Sequence, residues 1–66
     1  MNESILKGKW NQIKGTVKKQ WGELTDDDLD VVEGNAQILS GKIQERYGKT
    51  KDEADKEIRE FEKSQQ

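Results

Sequence analysis

Asp26, Asp28 and Asp30 stand at the spacing of the first acidic ligands of a calcium loop. That loop also needs glycine at its sixth position and a bidentate glutamate at its twelfth. Here those positions hold Val31 and Gln37. The aspartates are read instead as the acidic opening of a helix, where carboxylates favour the helix dipole. No metal and no cofactor is expected.

The second chemistry-bearing set is cationic. Lys7, Lys9, Lys14, Lys18 and Lys19 fall within residues 1–22, with Trp10 and Trp21 among them. Cations beside aromatic rings are the ingredients of a nucleic-acid surface. Two features weigh against that use. The chain carries a net charge of -2 and only two arginines, Arg46 and Arg59, and arginine is the usual gripper of phosphates and bases. The tryptophans also sit on an apolar helical stripe, which marks them as core. A nucleic-acid or partner surface of Lys7, Lys14, Lys18 and Lys19 is therefore the alternative. A solvated face suited to its helix ends is the favoured reading.

Catalysis has little to work with. There is no histidine and no cysteine, so the commonest general base, the thiolate nucleophile and the soft metal ligands are missing. Ser4, Ser40 and Ser64 have no base to activate them. The glycines have no strand before them and lack the dinucleotide spacing. No enzyme activity is expected.

The elements that position these groups follow from the apolar spacing. Leu6, Trp10, Ile13, Val17 and Trp21 recur at steps of four and three, one face of an α-helix. Gly22 is placed to end that helix in a left-handed conformation. Thr25 is a good N-cap, with Asp28 as a weak capping-box partner and Asp26 and Asp27 in the first turn. Ala36, Leu39, Ile43 and Tyr47 form the next stripe, ended by Gly48. Thr50 and Glu53 make a capping box for the last helix, which carries Ala54, Ile58 and Phe61. The predicted helices cover about 4–21, 26–33, 35–47 and 51–63, with a frayed tail over 63–66. Glycine inside a helix is costly but allowed, so Gly34 leaves open whether the second and third helices are continuous.

The chain reads as built twice. Gly15, Val17, Trp21 and Gly22 recur as Gly41, Ile43, Tyr47 and Gly48. Ile13 and Gly8 likewise match Leu39 and Gly34, in the same register. The repeat halves span about 4–33 and 34–63 of a single helical domain, 1–66. Gly8, Gly15 and Gly41 lie inside helical stretches and are read as points of close packing around Trp10, Trp21 and Tyr47.

Charge alternates with the repeat. Residues 1–22 carry five lysines against Glu3, a net of +4, and residues 23–33 carry six carboxylates, a net of -6. Residues 34–51 carry four cations against Glu45, a net of +3, and residues 52–66 net -3. Basic and acidic arms of this kind pair favourably within and between halves.

The core is small. Hydrophobic residues are 29% of the chain and charged residues 39%, so stability of about 3–5 kcal/mol is expected. Trp10, Ile13, Val17, Trp21, Leu39, Ile43, Tyr47, Ile58 and Phe61 are the expected core. Without cysteine there is no disulfide, which suits a reducing compartment. No apolar run is long enough to span a membrane and no signal peptide is read, so a cytoplasmic monomer is expected.

The ordered set of residues resembles the CsbD-like family of small bacterial proteins along nearly the whole chain. It runs from Trp10 and Ile13-Lys14-Gly15 through Val17-Lys18, Trp21-Gly22 and Leu24-Thr25-Asp26-Asp27-Asp28. It continues with Glu33-Gly34, Leu39, Gly41-Lys42-Ile43-Gln44, Tyr47-Gly48, and Lys51, Ala54 and Glu57. The resemblance implies an all-α fold, a small four-helix bundle similar to the two crossed α-hairpins of SAM-like domains. It also implies a non-enzymatic role in the general stress response, and it carries over no catalytic or binding residue. Such a protein acts by binding a protein partner or as a soluble protectant. Partner binding predicts an exposed apolar patch drawn from Ile5, Val31 and Ile38.

Overall fold

The computed structural model describes residues 3–65, with side chains from residue 5 onward. Among the described residues the fold is all-α, a multi-helix bundle without strands. The helices are α1 (Glu3–Gly8), α2 (Trp10–Gln20), α3 (Asp26–Val32), α4 (Ala36–Tyr47) and α5 (Lys51–Ser64). The longest, α4 and α5, pack on each other, α3 and α1 lie against α4, and α2 packs against α3 and α1.

The single first helix expected over 4–21 is broken at Lys9, whose backbone (φ -115, ψ 17) serves as the N-cap of α2. The ladder is nearly kept, since the Lys9 N–H still donates to the Ile5 carbonyl at 3.1 Å. The break has a tertiary cause. It lets α1 turn onto the end of α3, so that Leu6 and Trp10 both enter the core. The contact point is Gly34, which is left-handed (φ +81) and would place a Cβ 2.8 Å from Lys7 Cα and 3.0 Å from the Leu6 carbonyl. Glycine is required there twice over, for its backbone angle and for the close approach.

The same glycine ends the question of continuity between the second and third helices. Glu33 (φ 44) and Gly34 are consecutive left-handed residues that close α3. Asn35 then caps α4, its side-chain oxygen accepting from the Gln37 and Ile38 N–H groups at 2.9 and 3.1 Å.

Gly22 does not take the left-handed conformation expected of it. The positive-φ glycines among the described residues are Gly34 and Gly48. The first arm ends through Trp21 (φ -124, ψ 75), whose carbonyl accepts from the Leu24 N–H at 3.0 Å. This turn satisfies the helix end without a left-handed residue. Gly48 is left-handed and its N–H donates to the Gln44 carbonyl at 2.9 Å.

The core joins Leu6, Trp10, Ile13, Val17, Trp21, Leu24, Leu29, Val32, Leu39, Ile43, Ala54, Ile58 and Phe61. Trp21 and Phe61 tie the first arm to the last helix, with ring centroids 5.2 Å apart and planes tilted by 57°. Such tilted pairs add to simple burial. Tyr47 is only half-buried and flanks the core rather than filling it. Its hydroxyl needs a partner, and it accepts from the Glu23 N–H at 3.1 Å. The tail is not frayed at Lys63 and Ser64. Both are helical, and the Ser64 hydroxyl donates to the Phe61 carbonyl at 2.7 Å; Gln66 lies outside the described residues.

Close packing does not explain the remaining helical glycines. A Cβ at Gly8, Gly15 or Gly41 would meet nothing within 4 Å, and all three are exposed.

Candidate interaction surfaces

The capping boxes fix the acidic groups. Thr25 caps α3 by accepting from the Asp28 N–H at 3.0 Å, while Asp28 Oδ2 accepts from the Thr25 N–H at 3.0 Å. This box turns Asp28 inward, where it is buried. There Arg46 of α4 grips it with two hydrogen bonds, Nε to Oδ2 at 3.0 Å and Nη2 to Oδ1 at 3.1 Å. Lys42, one helical turn before Arg46, approaches Oδ1 at 3.6 Å. A bidentate guanidinium adds direction as well as charge. The hydrogen bonds from Arg46 and Thr25 hold the Asp28 carboxyl well below the ordinary carboxylate range.

The three aspartates of the loop-like motif therefore point to three different partners. Asp28 faces Arg46, Asp26 faces Lys18 at 3.6 Å, and Asp30 faces Lys14 at 2.8 Å. They do not converge. Among the described residues no group of three or more acidic, histidine or cysteine side chains could hold a metal ion.

The lysine set is divided by these pairs. Lys14 and Lys18 are one turn apart on α2 and both turn toward α3, where their partners neutralise them. The hydrogen bond from Lys14 to Asp30 raises the Lys14 pKa. Lys19 is exposed on α2, and Lys7 is exposed on α1, beyond the break at Lys9. Trp10 and Trp21 are buried, so neither ring is available to stack on a base.

A second junction ties α5 to the rest. The Trp21 indole Nε1–H donates to Glu57 Oε1 at 2.9 Å, and Lys49 pairs with the other oxygen of the same carboxylate. These bonds, first from Lys49 and then from Trp21, lower the Glu57 pKa. Lys49 also lies 5.1 Å above the centre of the Tyr47 ring. Residue-by-residue reasoning singled out none of Arg46, Lys42, Glu57 or Lys49. The alternation of charge blocks was their signal, since Asp28 and Arg46 come from an acidic and a basic block.

Of the three apolar residues expected at the surface, Ile5 is half-buried, while Val31 and Ile38 are exposed, at 57% and 37%. Both line one shallow, open surface of α3 and α4, together with Gly41, Lys42, Glu45 and Lys49. Among the described residues no helix is long and apolar enough to cross a membrane.

Comparison with known proteins places this arrangement. The profile of the CsbD-like family matches residues 5–56. A UPF0337 protein of Xanthomonas axonopodis pv. citri is 58% identical, over 97% of this chain and 93% of its own length. One of Bordetella pertussis is 61% identical over 92% of each chain. The UPF0337 protein YjbJ of Escherichia coli (strain K12) is 55% identical over 94% of this chain and 90% of its own length. No solved structure gives a significant match. Matched by the family profile and by relatives along almost its full length, the chain belongs to the CsbD-like family of small bacterial stress-response proteins.

Proposed function

We propose that this protein acts in the cytoplasm as a docking accessory of the stress response, presenting the face between α3 and α4 to a protein. The observation that carries the reading is the pair Val31 and Ile38, both exposed on one open surface that also includes Gly41. Every other large apolar side chain from Leu6 to Phe61 is buried or half-buried, so this patch is a local departure from the general pattern. The charge pattern supports a protein over a nucleic acid as the partner, because Lys14 and Lys18 are already engaged by α3.

The scaffold behind this face is read as two α-hairpins. The first comprises α1 and α2 with α3, over about 4–33, and the second comprises α4 with α5, over about 34–63. They are crossed as in SAM-like domains and descend from a duplication. The recurrence of a capping box at Thr25 and at Thr50, before the last helix of each half, supports this reading.

Ile38→Lys separates docking from a purely soluble protectant role. Stressed bacteria carrying this variant, folded by circular dichroism, lose the protection that the wild-type chain gives if the face docks. Protection kept in full by the folded variant rejects docking in favour of the protectant. An amide NMR titration with duplex DNA and single-stranded RNA addresses the remaining alternative. Salt-reversible shifts confined to residues 7–19 would make Lys7, Lys14, Lys18 and Lys19 a nucleic-acid surface.

A further inference from the structure

We propose that residues 33–35, between α3 and α4, are an exchange hinge through which two copies of this chain trade halves and form a domain-swapped dimer. The inference is independent of the docking face. Its basis is a strained connection between two bodies that are each tied internally. In the α1–α3 body, Lys14 pairs with Asp30 and Lys18 with Asp26. In the α4–α5 body, the two helices pack on each other and Lys49 pairs with Glu57. The bodies meet through buried contacts, Asp28 with Arg46 and Trp21 with Glu57 and Phe61.

The hinge is held in an unfavourable conformation. Glu33 is left-handed (φ 44), where a Cβ crowds the following carbonyl. Gly34 is left-handed as well and lies against α1 with no room for a side chain. A helix running through 33–35 removes both left-handed residues. The sequence permits one, since the chain has no proline. Leu29, Val32, Ala36, Leu39 and Ile43 also keep steps of three, four, three and four across the hinge, a single helical stripe.

Such a helix does not fit inside the monomer. Over 26–47 it would be about 33 Å long, against a greatest extent of 27 Å for the whole fold. Straightening therefore draws α3 and α4, now packed on each other, end to end, and parts the α1–α3 body from its own α4–α5 body. The faces uncovered are the two sides of the core, and each is complementary to the other. A second opened copy supplies both, so every contact between the bodies re-forms across the pair and the assembly closes as a dimer. Those contacts are the same in either form. The balance is set by the hinge, which gains a continuous helix and loses the Asn35 cap, and by concentration, which must compete with the contact within one chain. Exchange requires the core to part, so it is slow until the chain is heated.

The test is to heat the chain through its transition at about 1 mM, cool it, and measure mass by gel filtration with light scattering. The wild type is expected to return mainly as monomer. Gly34→Ala, which strains the bent hinge and favours the straight one, should raise the ratio of dimer to monomer by about tenfold or more. Gly48→Ala is the control. Gly48 is also left-handed, but it lies within the α4–α5 body and in open space, so its loss should lower the melting temperature without adding dimer. A folded Gly34→Ala chain with the wild-type ratio overturns the proposal. A mixture of two charge variants decides the matter even if Gly34→Ala does not fold. Asp28→Arg and Arg46→Asp each set like charges against each other within one chain. In a swapped pair of the two, one unit regains Asp28 with Arg46 and the other holds the reversed pair. Heated and cooled together, they should give a species of twice the chain mass that melts above either variant alone. Simple contact between intact folds restores neither unit. A mixture that melts as the sum of its two components, with no such species, overturns the proposal.

Discussion

The two capping boxes are built alike and serve differently. Thr25 with Asp28 and Thr50 with Glu53 each close both reciprocal hydrogen bonds, all between 2.9 and 3.2 Å. Glu53 is exposed, and its side-chain bond ends within its own turn. Asp28 is buried and is held by Arg46 and Lys42 from α4 as well. The difference does not lie in the motif. It lies in what the neighbouring helix presents to the third residue of the turn. A local signal for starting a helix becomes a tertiary joint when cations one turn apart stand opposite it.

Breaking that joint gives the largest expected effect. Asp28→Ala removes the cap's partner and leaves Arg46 and Lys42 facing each other without their shared anion. Asp28 is buried while the Arg46 side chain stays 42% exposed, so the loss comes from the cap bond and the bidentate contact failing together. Thermal unfolding followed by circular dichroism should show at least twice the loss of Glu53→Ala, which removes only the local bond. Equal losses would mean that the Arg46 contact is incidental.

Acid sharpens the same contrast. Asp28, Asp55 and Glu57 all have depressed pKa values in the folded state. For Asp28 the causes are the bonds from Arg46 and then Thr25; for Asp55, from Lys51 and then Ser40. A depressed carboxyl stabilises the fold above its unfolded value, about 4, and the contribution is lost as pH falls through the folded value. Lys14 and Lys51 are raised from 10.5, so their contribution is present below that value and is lost only above it. Stability should therefore be flat from about pH 5 to 9 and fall below about pH 4. Asp28→Asn should be less stable at neutral pH and should approach the wild type in acid. Parallel curves across that range would show that Asp28 does not carry the linkage.

The contrast also shows how far the sequence reaches. The stripe of Trp10, Ile13, Val17 and Trp21 was legible because burial on one face of a helix imposes its spacing directly. Thr25 and Thr50 were legible because a cap is satisfied within its own turn. The break at Lys9 was not, since no proline marks it and its cause is the approach of α1 to Gly34. The grip of Arg46 on Asp28 spans 18 positions and depends on how α3 lies against α4, which the charge blocks indicate only as a tendency. The exposed glycines misled for the opposite reason. Glycine is compatible with close packing, but nothing in its identity requires that a neighbour be present.

Thr50→Ala measures the purely local box. It removes the oxygen that accepts from the Glu53 N–H at 3.2 Å and should cost about 1 kcal/mol, a fall of about 4–8 °C in melting temperature. Thr25→Ala should cost more, because loosening that box also releases the Asp28 carboxylate that Arg46 holds. Matching losses at the two threonines would place all of the Asp28 effect on Arg46 and none on the cap.

The smallest effect belongs to the pairs between α2 and α3. Lys18 and Asp26 are 3.6 Å apart with side-chain exposures of 42% and 89%. At such sites the Coulombic gain is screened by water and salt and offset by the entropy of holding two long side chains together. Lys18→Gln should move the melting midpoint by no more than about 3 °C, and the shift should vanish in about 1 M salt. A larger, salt-resistant loss would mean that the α2–α3 charges bind the first arm as Asp28 binds the second. The distinction between a solvated face and a buried joint would then fail.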